Sequence, residues 1–313
     1  MANYFIKMGE FEEKEKKLIF KGRDIVQIDQ NTGEQRTSSM YGDLLFPGLF
    51  REGKVSFNVT FLNINQNTRC GFLLNYKNIN GKEIFYQTGI RNDMAAYSLE
   101  YFNGMRWDFK VMGGSAFSLK PNNKYNIQVE LKGNVLTLVV DGVILFTYTN
   151  FINNYAGFGV FVTNSYDVVI EDIKKSINEP TVFNIMKFEK DFDDLYKDVI
   201  VVECEKHGYK AIRADECYTS NAIIEDITKE ISNAAIIIAD ITMDNPNVFY
   251  ELGFAHALKK PTILLADINK RSDLPFDISG YRTIFYHNSI AGKKDIENKL
   301  SKFIENITSA LEG

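Results

Sequence analysis

The chain is poor in the residues that announce covalent or metal-centred chemistry: among 313 residues there are three cysteines, three histidines, six prolines and one tryptophan. Cys70, Cys204 and Cys217 show no paired metal-ligand spacing, and His256 with Cys217 makes no ligand set, so no metal and no resident cofactor are expected. The same pattern reads as reduced thiols. No apolar run approaches the length of a membrane span, and the N-terminal MANYFIKMGEFEEKEKK lacks the apolar core of a signal peptide. A cytoplasmic protein acting on small metabolites is therefore expected. Positive charge is also lacking. With 36 basic against 41 acidic side chains and a formal charge of −5, there is no general attraction to nucleic acid or to an anionic membrane. There is no P-loop, and no glycine fingerprint follows a strand, which sets phosphoryl transfer aside.

What the sequence does contain is enough chain for two cores. Val55, Phe57, Val59 and Phe61 alternate with Ser56, Asn58 and Thr60. The period of two returns in Tyr125, Ile127, Val129 and Leu131 and in Leu136, Leu138 and Val140. Asn80-Gly81, Asn103-Gly104, Gly133-Asn134 and Asp141-Gly142 are hairpin signals. Many short strands with no helical period predict an all-β antiparallel sandwich over residues 1–175, ending near Asp172, with GFGVFVTNSYDVVIEDI as a final strand pair. The polar run KKSINEP marks the boundary, with a linker at residues 176–180.

Beyond it the period changes. Strands over Thr181–Met186, Lys210–Ala214, Ala234–Ala239, Thr262–Ala266 and Arg282–Tyr286 alternate with helices over Asp191–Glu205, Ala222–Ser232, Val248–Lys259 and Lys293–Leu311. This predicts an α/β domain over 181–313 with a flavodoxin-like, five-stranded parallel sheet, whose ligand sits beyond the carboxyl ends of the strands. The loops after Met186, Asp215 and Asp240 are the ones that would hold it.

Most of the chemical information lies in AAIIIADITMDNPNVFYELGFAHAL. Asn245 and Pro246 mark a helix start. At about 100° per residue, Val248, Leu252, Ala255 and Leu258 form an apolar stripe, and Glu251 falls inside it. An inward carboxylate close to a helix start is a functional-site candidate. Cleavage of an N-glycosidic bond needs such a carboxylate near the anomeric carbon, as nucleophile or as partner of an oxocarbenium-like state. Asp240, Asp244 and Asn247 are suited to hold ribose hydroxyls, Met186, Phe188 and Tyr250 to form a wall for the base, and Arg213 with Asp215 to hold a phosphate and a hydroxyl or else to form a plain ion pair.

VFNIMKF, YKAIRADE, IIIADITMDNPNVFYELGFAHAL and LPFDISGYRTIFY together resemble the nucleoside 2-deoxyribosyltransferase-like and TIR-like superfamily over nearly all of 181–313. The resemblance implies that Glu251 is the catalytic glutamate, that residues 244–247 contribute sugar-binding groups, and that Pro275, Phe276 and Asp277 form a loop beside the site. It implies activity on nucleosides, nucleotides or NAD, and a homo-oligomer. Where the transferase branch carries an aspartate followed by a glycine, this chain has Asn245-Pro246-Asn247, which points away from deoxyribosyl transfer. The first half, notably NKYNIQVELKGNVLTLVVDGVILF, resembles concanavalin-like or laminin-G-like sandwiches. That implies a recognition or assembly module with a protein or glycan partner, for which Tyr97, Tyr101 and Trp107 are candidate contacts. TIR-like domains joined to such modules resemble effectors of prokaryotic antiphage defence. The expectation is an intracellular N-glycosidase of NAD or nucleosides. The alternative is a non-catalytic nucleotide receptor that signals by assembly through the sandwich.

Overall fold

The computed structural model describes residues 4–28, 35–151, 155–216 and 223–312. The chain divides into two compact units, one of Met1–Asn178 with Ala310–Gly313 and one of Glu179–Ser309.

The first unit is two antiparallel sheets sharing one core. The eight-stranded sheet runs in the order Phe5–Met8, Gln35–Phe50, Ala156–Asn164, Arg69–Ile79, Lys82–Arg91, Tyr97–Phe102 and Trp107–Gly113, with Asp24–Ile28 also paired to Gln35–Phe50. The seven-stranded sheet runs Val143–Tyr148, Val135–Val140, Lys124–Lys132, Gly53–Phe61, Val168–Ile177, Lys17–Phe20 and Phe11–Lys14. The alternation read from the sequence sets the layering. Val55, Phe57, Val59 and Phe61 are buried while the residues between them are half-exposed, because successive side chains of a strand leave on opposite faces. Phe57 of one sheet meets Phe72 of the other edge-on at 4.8 Å between ring centroids.

Hairpin chemistry holds where the turn demands positive φ. Asn80 and Gly81 sit at 54° and 80°, and Asp141 and Gly142 at 49° and 79°, as a two-residue turn of the mirror-image type requires. Two expectations are corrected. GFGVFVTNSYDVVIEDI is not a strand pair: Ala156–Asn164 joins the eight-stranded sheet and Val168–Ile177 the seven-stranded one, so the chain changes layer between them. The sandwich also continues past Asp172, because a bulge between Glu171 and Lys174 lets Lys174–Ile177 resume pairing with Gly53–Ser56. This end of the strand is solvated, so no alternation betrays it.

Gly71 and Gly89 face each other across adjacent strands. A Cβ on Gly89 would lie 2.2 Å from the Cys70 carbonyl oxygen, a clash that only separation of the strands relieves. Gly89→Ala is expected to lower the stability of this unit by about 3 kcal/mol or more, read from its urea midpoint.

The second unit is a five-stranded parallel sheet with helices. Its strands are β1 (Thr181–Ile185), β2 (Lys210–Arg213), β3 (Ile236–Asp240), β4 (Thr262–Asp267) and β5 (Thr283–Tyr286), in the spatial order β2-β1-β3-β4-β5. Helix α1 (Lys190–Leu195) passes through a π-helical turn, Tyr196–Ile200, into α2 (Val201–Lys206). Helices α3 (Ile223–Asn233), α4 (Pro246–Ala257) and α5 (Ile290–Glu312) follow. β3 is buried along its whole length, as a central parallel strand covered on both faces must be. Ile237, Ala239 and Ile241 pack with Ile227 and Ile231 of α3 and with Val248, Leu252 and Ala255 of α4. Ile236, Ile238 and Asp240 therefore point to the opposite face of the sheet. Winding reverses between β1 and β3, which opens a crevice at their carboxyl ends. No helix is long and apolar enough to cross a membrane, among the described residues.

Candidate active site

The loop after β3 leads directly into α4, and its cap fixes where α4 begins. Asn245 is extended, and its side chain accepts the Asn247 N–H at 3.0 Å, with Pro246 at the first helical position. Val248, Leu252 and Ala255 face the core. Leu258, placed in the stripe from the sequence, is exposed because the helix has already ended at Ala257.

Glu251 lies on one border of the buried stripe and His256 on the other, about 140° around the helix. His256 stacks on Tyr281 at 4.1 Å between ring centroids, and Tyr281 belongs to the segment leading into β5. That flank of α4 therefore faces the segment leading into β5, and Glu251 lies on the opposite border of the stripe. The Glu251 carboxyl is half-buried. Burial pushes it up to about 7, and no hydrogen bond or charge among the described residues offsets that. A carboxyl poised near neutral pH and without a partner among the described residues is chemically available.

The remaining candidates fall in three places. Met186, Phe188, Arg213 and Asp215 come together beside α1. Arg213 is buried there, and its Nε and Nη2 donate to Asp215 at 2.7 Å while Nη1 donates to Asp193 at 2.7 Å. Its guanidinium lies over the rings of Tyr196 at 4.7 Å and Phe188 at 5.5 Å and meets Met186 Sδ at 3.9 Å. The planar fork is thus engaged within the chain, and Asp193 is held below its usual carboxylate range by it. Arg213→Met is expected to cost the second unit about 2–3 kcal/mol, since packing on two rings is lost as well as the ion pairs; thermal unfolding measures it.

Asp244, Asn247 and Tyr250 stay on α4 and its approach, all exposed. Asp244 is paired with Arg271. Asp240 stands apart from Glu251, on the other face of the sheet. It is buried, accepts the Thr242 N–H at 2.9 Å and the Tyr286 hydroxyl at 2.8 Å, and is raised above its usual range by burial. Phe276 is almost fully exposed on the loop before β5. Cys70 and Cys204 are buried free thiols, while Cys217 and Ala222 lie outside the described residues. Among the described residues no group of His, Cys, Asp and Glu forms a metal-ligand set.

Sequence reasoning missed the polar cluster Thr242, Asp267 and Tyr286 on the Asp240 face. Its signal was present: TILLAD, like IIIAD, is an apolar strand that ends in a carboxylate.

No family model matches the chain, and no curated protein matches its sequence. Solved structures do resemble it over its sandwich. A carbohydrate-binding module from Bacillus subtilis is 10% identical over 55% of this chain and 94% of its own, with a TM-score of 0.44. A laminarinase catalytic domain from Thermotoga maritima is 11% identical over 56% and 92%, with a TM-score of 0.39. A galectin from Caenorhabditis elegans is 9% identical over 42% and 89%, with a TM-score of 0.30. Likeness at this level says nothing about ligand or activity.

Proposed function

We propose that the second unit cleaves the N-glycosidic bond of NAD at the nicotinamide ribose, or of a nucleoside or nucleotide at its base, with Glu251 as the essential carboxylate. The observation that carries this is the half-buried Glu251 carboxyl, pushed up to about 7 and unpartnered among the described residues, on the flank of α4 opposite His256 and Tyr281. In its ionised form it can attack the anomeric carbon or stabilise the oxocarbenium-like state as the base departs. Asn247 and Tyr250, on the same helix, supply a polar group and an aromatic surface. The four-block resemblance to nucleoside 2-deoxyribosyltransferase-like and TIR-like domains supports the same reading. In it the sandwich, concanavalin-like or laminin-G-like, is a sensing or assembly module for a protein or glycan, and the whole chain is a cytoplasmic, oligomeric antiphage effector.

The test is free-base release from NAD and from a panel of nucleosides and nucleotides, by the wild-type chain and by Glu251→Gln. Release by the wild type alone supports the proposal; no release, or equal release by both proteins, sinks it.

One observation favours a receptor instead. Arg213 and Asp244, two groups suited to hold substrate, already have partners within the chain. Nucleotide binding without turnover, together with a change in oligomer size, is the outcome that reading expects.

A further inference from the structure

On the face of the sheet away from α4, a cleft of about 190 Å³ opens at the carboxyl ends of β3, β4 and β5. One wall is apolar and comes from helices: Phe192, Leu195 and Val199 on one side, Ile296 of α5 on the other. The opposite wall is made by the strand ends, with Thr242, Asp267 and Tyr286. Lys270 and Lys293 stand with Asp194 and Asp198 among the remaining lining groups, so no single charge dominates the site.

The hydrogen bonds of the polar wall fix what it offers. Tyr286 spends its one proton on Asp240 Oδ2 at 2.8 Å, so its oxygen faces other groups only as an acceptor. Thr242 Oγ1 accepts the Asp267 N–H at 2.8 Å and lies 3.4 Å from the Tyr286 oxygen. Asp267 is buried and brings a carboxylate, with Oδ1 accepting the Asn269 N–H at 3.0 Å. Tyr286 and Asp267 therefore present acceptors to the cleft, and an occupant must bring N–H donors to this edge. The space is below the ~300–1,000 Å³ typical of clefts for drug-sized ligands, and the apolar wall opposite suits the face of a ring.

We infer that this cleft is a second ligand site, separate from Glu251, for a planar heteroaromatic ring of nucleobase size bearing an amino or carboxamide group. The ring lies against Phe192 and Ile296, and its NH₂ group donates to Asp267 and Tyr286. This goes beyond the glycosidase reading and holds whether or not the chain turns over a substrate.

The test is titration calorimetry on the full chain with nicotinamide and adenine, against nicotinate and unsubstituted purine, which keep the ring and lack the NH₂ group. For ligands of this size the expected Kd of nicotinamide or adenine is on the order of 0.1–1 mM, with at least ~10-fold weaker binding of the control rings, since a buried acceptor is then left unpaired. Asp267→Asn, which offers a donor in place of an acceptor, and Asn288→Trp, which places an indole at an exposed residue of the cleft lining, are each expected to weaken binding at least ~10-fold. Unchanged thermal unfolding of Asn288→Trp guards against a folding defect, and Glu251→Gln is expected to bind as the wild type does. The proposal is overturned if neither amino-bearing ring binds at millimolar concentration, if the control rings bind equally well, or if binding survives both cleft substitutions. It is equally overturned if binding is lost in Glu251→Gln alone, which would put the ring in the other crevice.

Discussion

Glu251→Gln is expected to lower base release by about 10²–10³-fold or more, the scale on which one group stabilising a developing charge contributes, while leaving the fold intact. The amide keeps the shape of the side chain and loses its charge, and the proposed step depends on that charge. The wild-type pH profile gives an independent signature. With the carboxyl pushed up to about 7, kcat/KM should rise with pH through about 7 and level off above it, because the ionised form does the work. A group acting as the acid would give the reverse slope.

Stability should move in the opposite sense to activity. The folded chain holds the Glu251 proton more tightly than the unfolded chain, whose carboxyl titrates near its ordinary value of 4.5. The native state therefore loses stability as pH rises from about 4.5 to 7, and above 7 it carries the full cost of a poorly solvated charge. The amide removes that cost. Above pH 7, Glu251→Gln should be more stable than the wild type by on the order of 1–2 kcal/mol, after allowing for solvent screening of a half-exposed group. A variant that is inactive yet more stable at pH 8 distinguishes a functional carboxylate from one retained for structure; unfolding at pH 5 and pH 8 measures the difference.

Arg91→Met should remove about 3–5 kcal/mol from the sandwich unit. Arg91 is 1% exposed and Glu100 is 4% exposed, and the two are joined by a direct ion pair. Arg91 also pairs with Asp93 and lies over the Phe109 ring at 5.7 Å. Without it, Glu100 keeps, among the described residues, only the Ser98 hydroxyl at 2.7 Å and Arg69 at 3.8 Å, too little to compensate a charge held away from water. Replacing both members, Arg91→Met with Glu100→Leu, should recover much of the loss, because no buried charge then stands alone. If the single and double variants unfold at the same denaturant concentration, the loss comes from packing rather than from the orphaned carboxylate.

The pattern of layers was legible because burial leaves a period in the sequence. Val55 to Phe61 repeats every second residue where one face of a strand is wet, Ile236 to Ile238 is continuous where both faces are covered, and α4 shows its stripe at helical spacing. The flavodoxin-like order was expected from the alternation of five strands with helices, and the parallel sheet has that order. Glu251 stood out in the sequence for the same reason, as a charged residue within the apolar stripe; in the fold it lies on that stripe's border and is half-buried.

The destination of each polar group was not. A strand-end aspartate reads the same whether it turns toward α4 or away from it. Only the assembled sheet places Asp240 with Tyr286, 46 residues later, and turns it from a neighbour of Glu251 into part of the opposite face. Arg213 likewise reads equally as a phosphate-holding cation or as half of an ion pair with Asp215 until the fold pairs it with Asp215 and brings Asp193 and Tyr196 to it. Sequence period determines which residues leave water, because that depends on local geometry alone. The partners of a buried polar group are set by contacts between distant segments, and those exist only once the chain has folded.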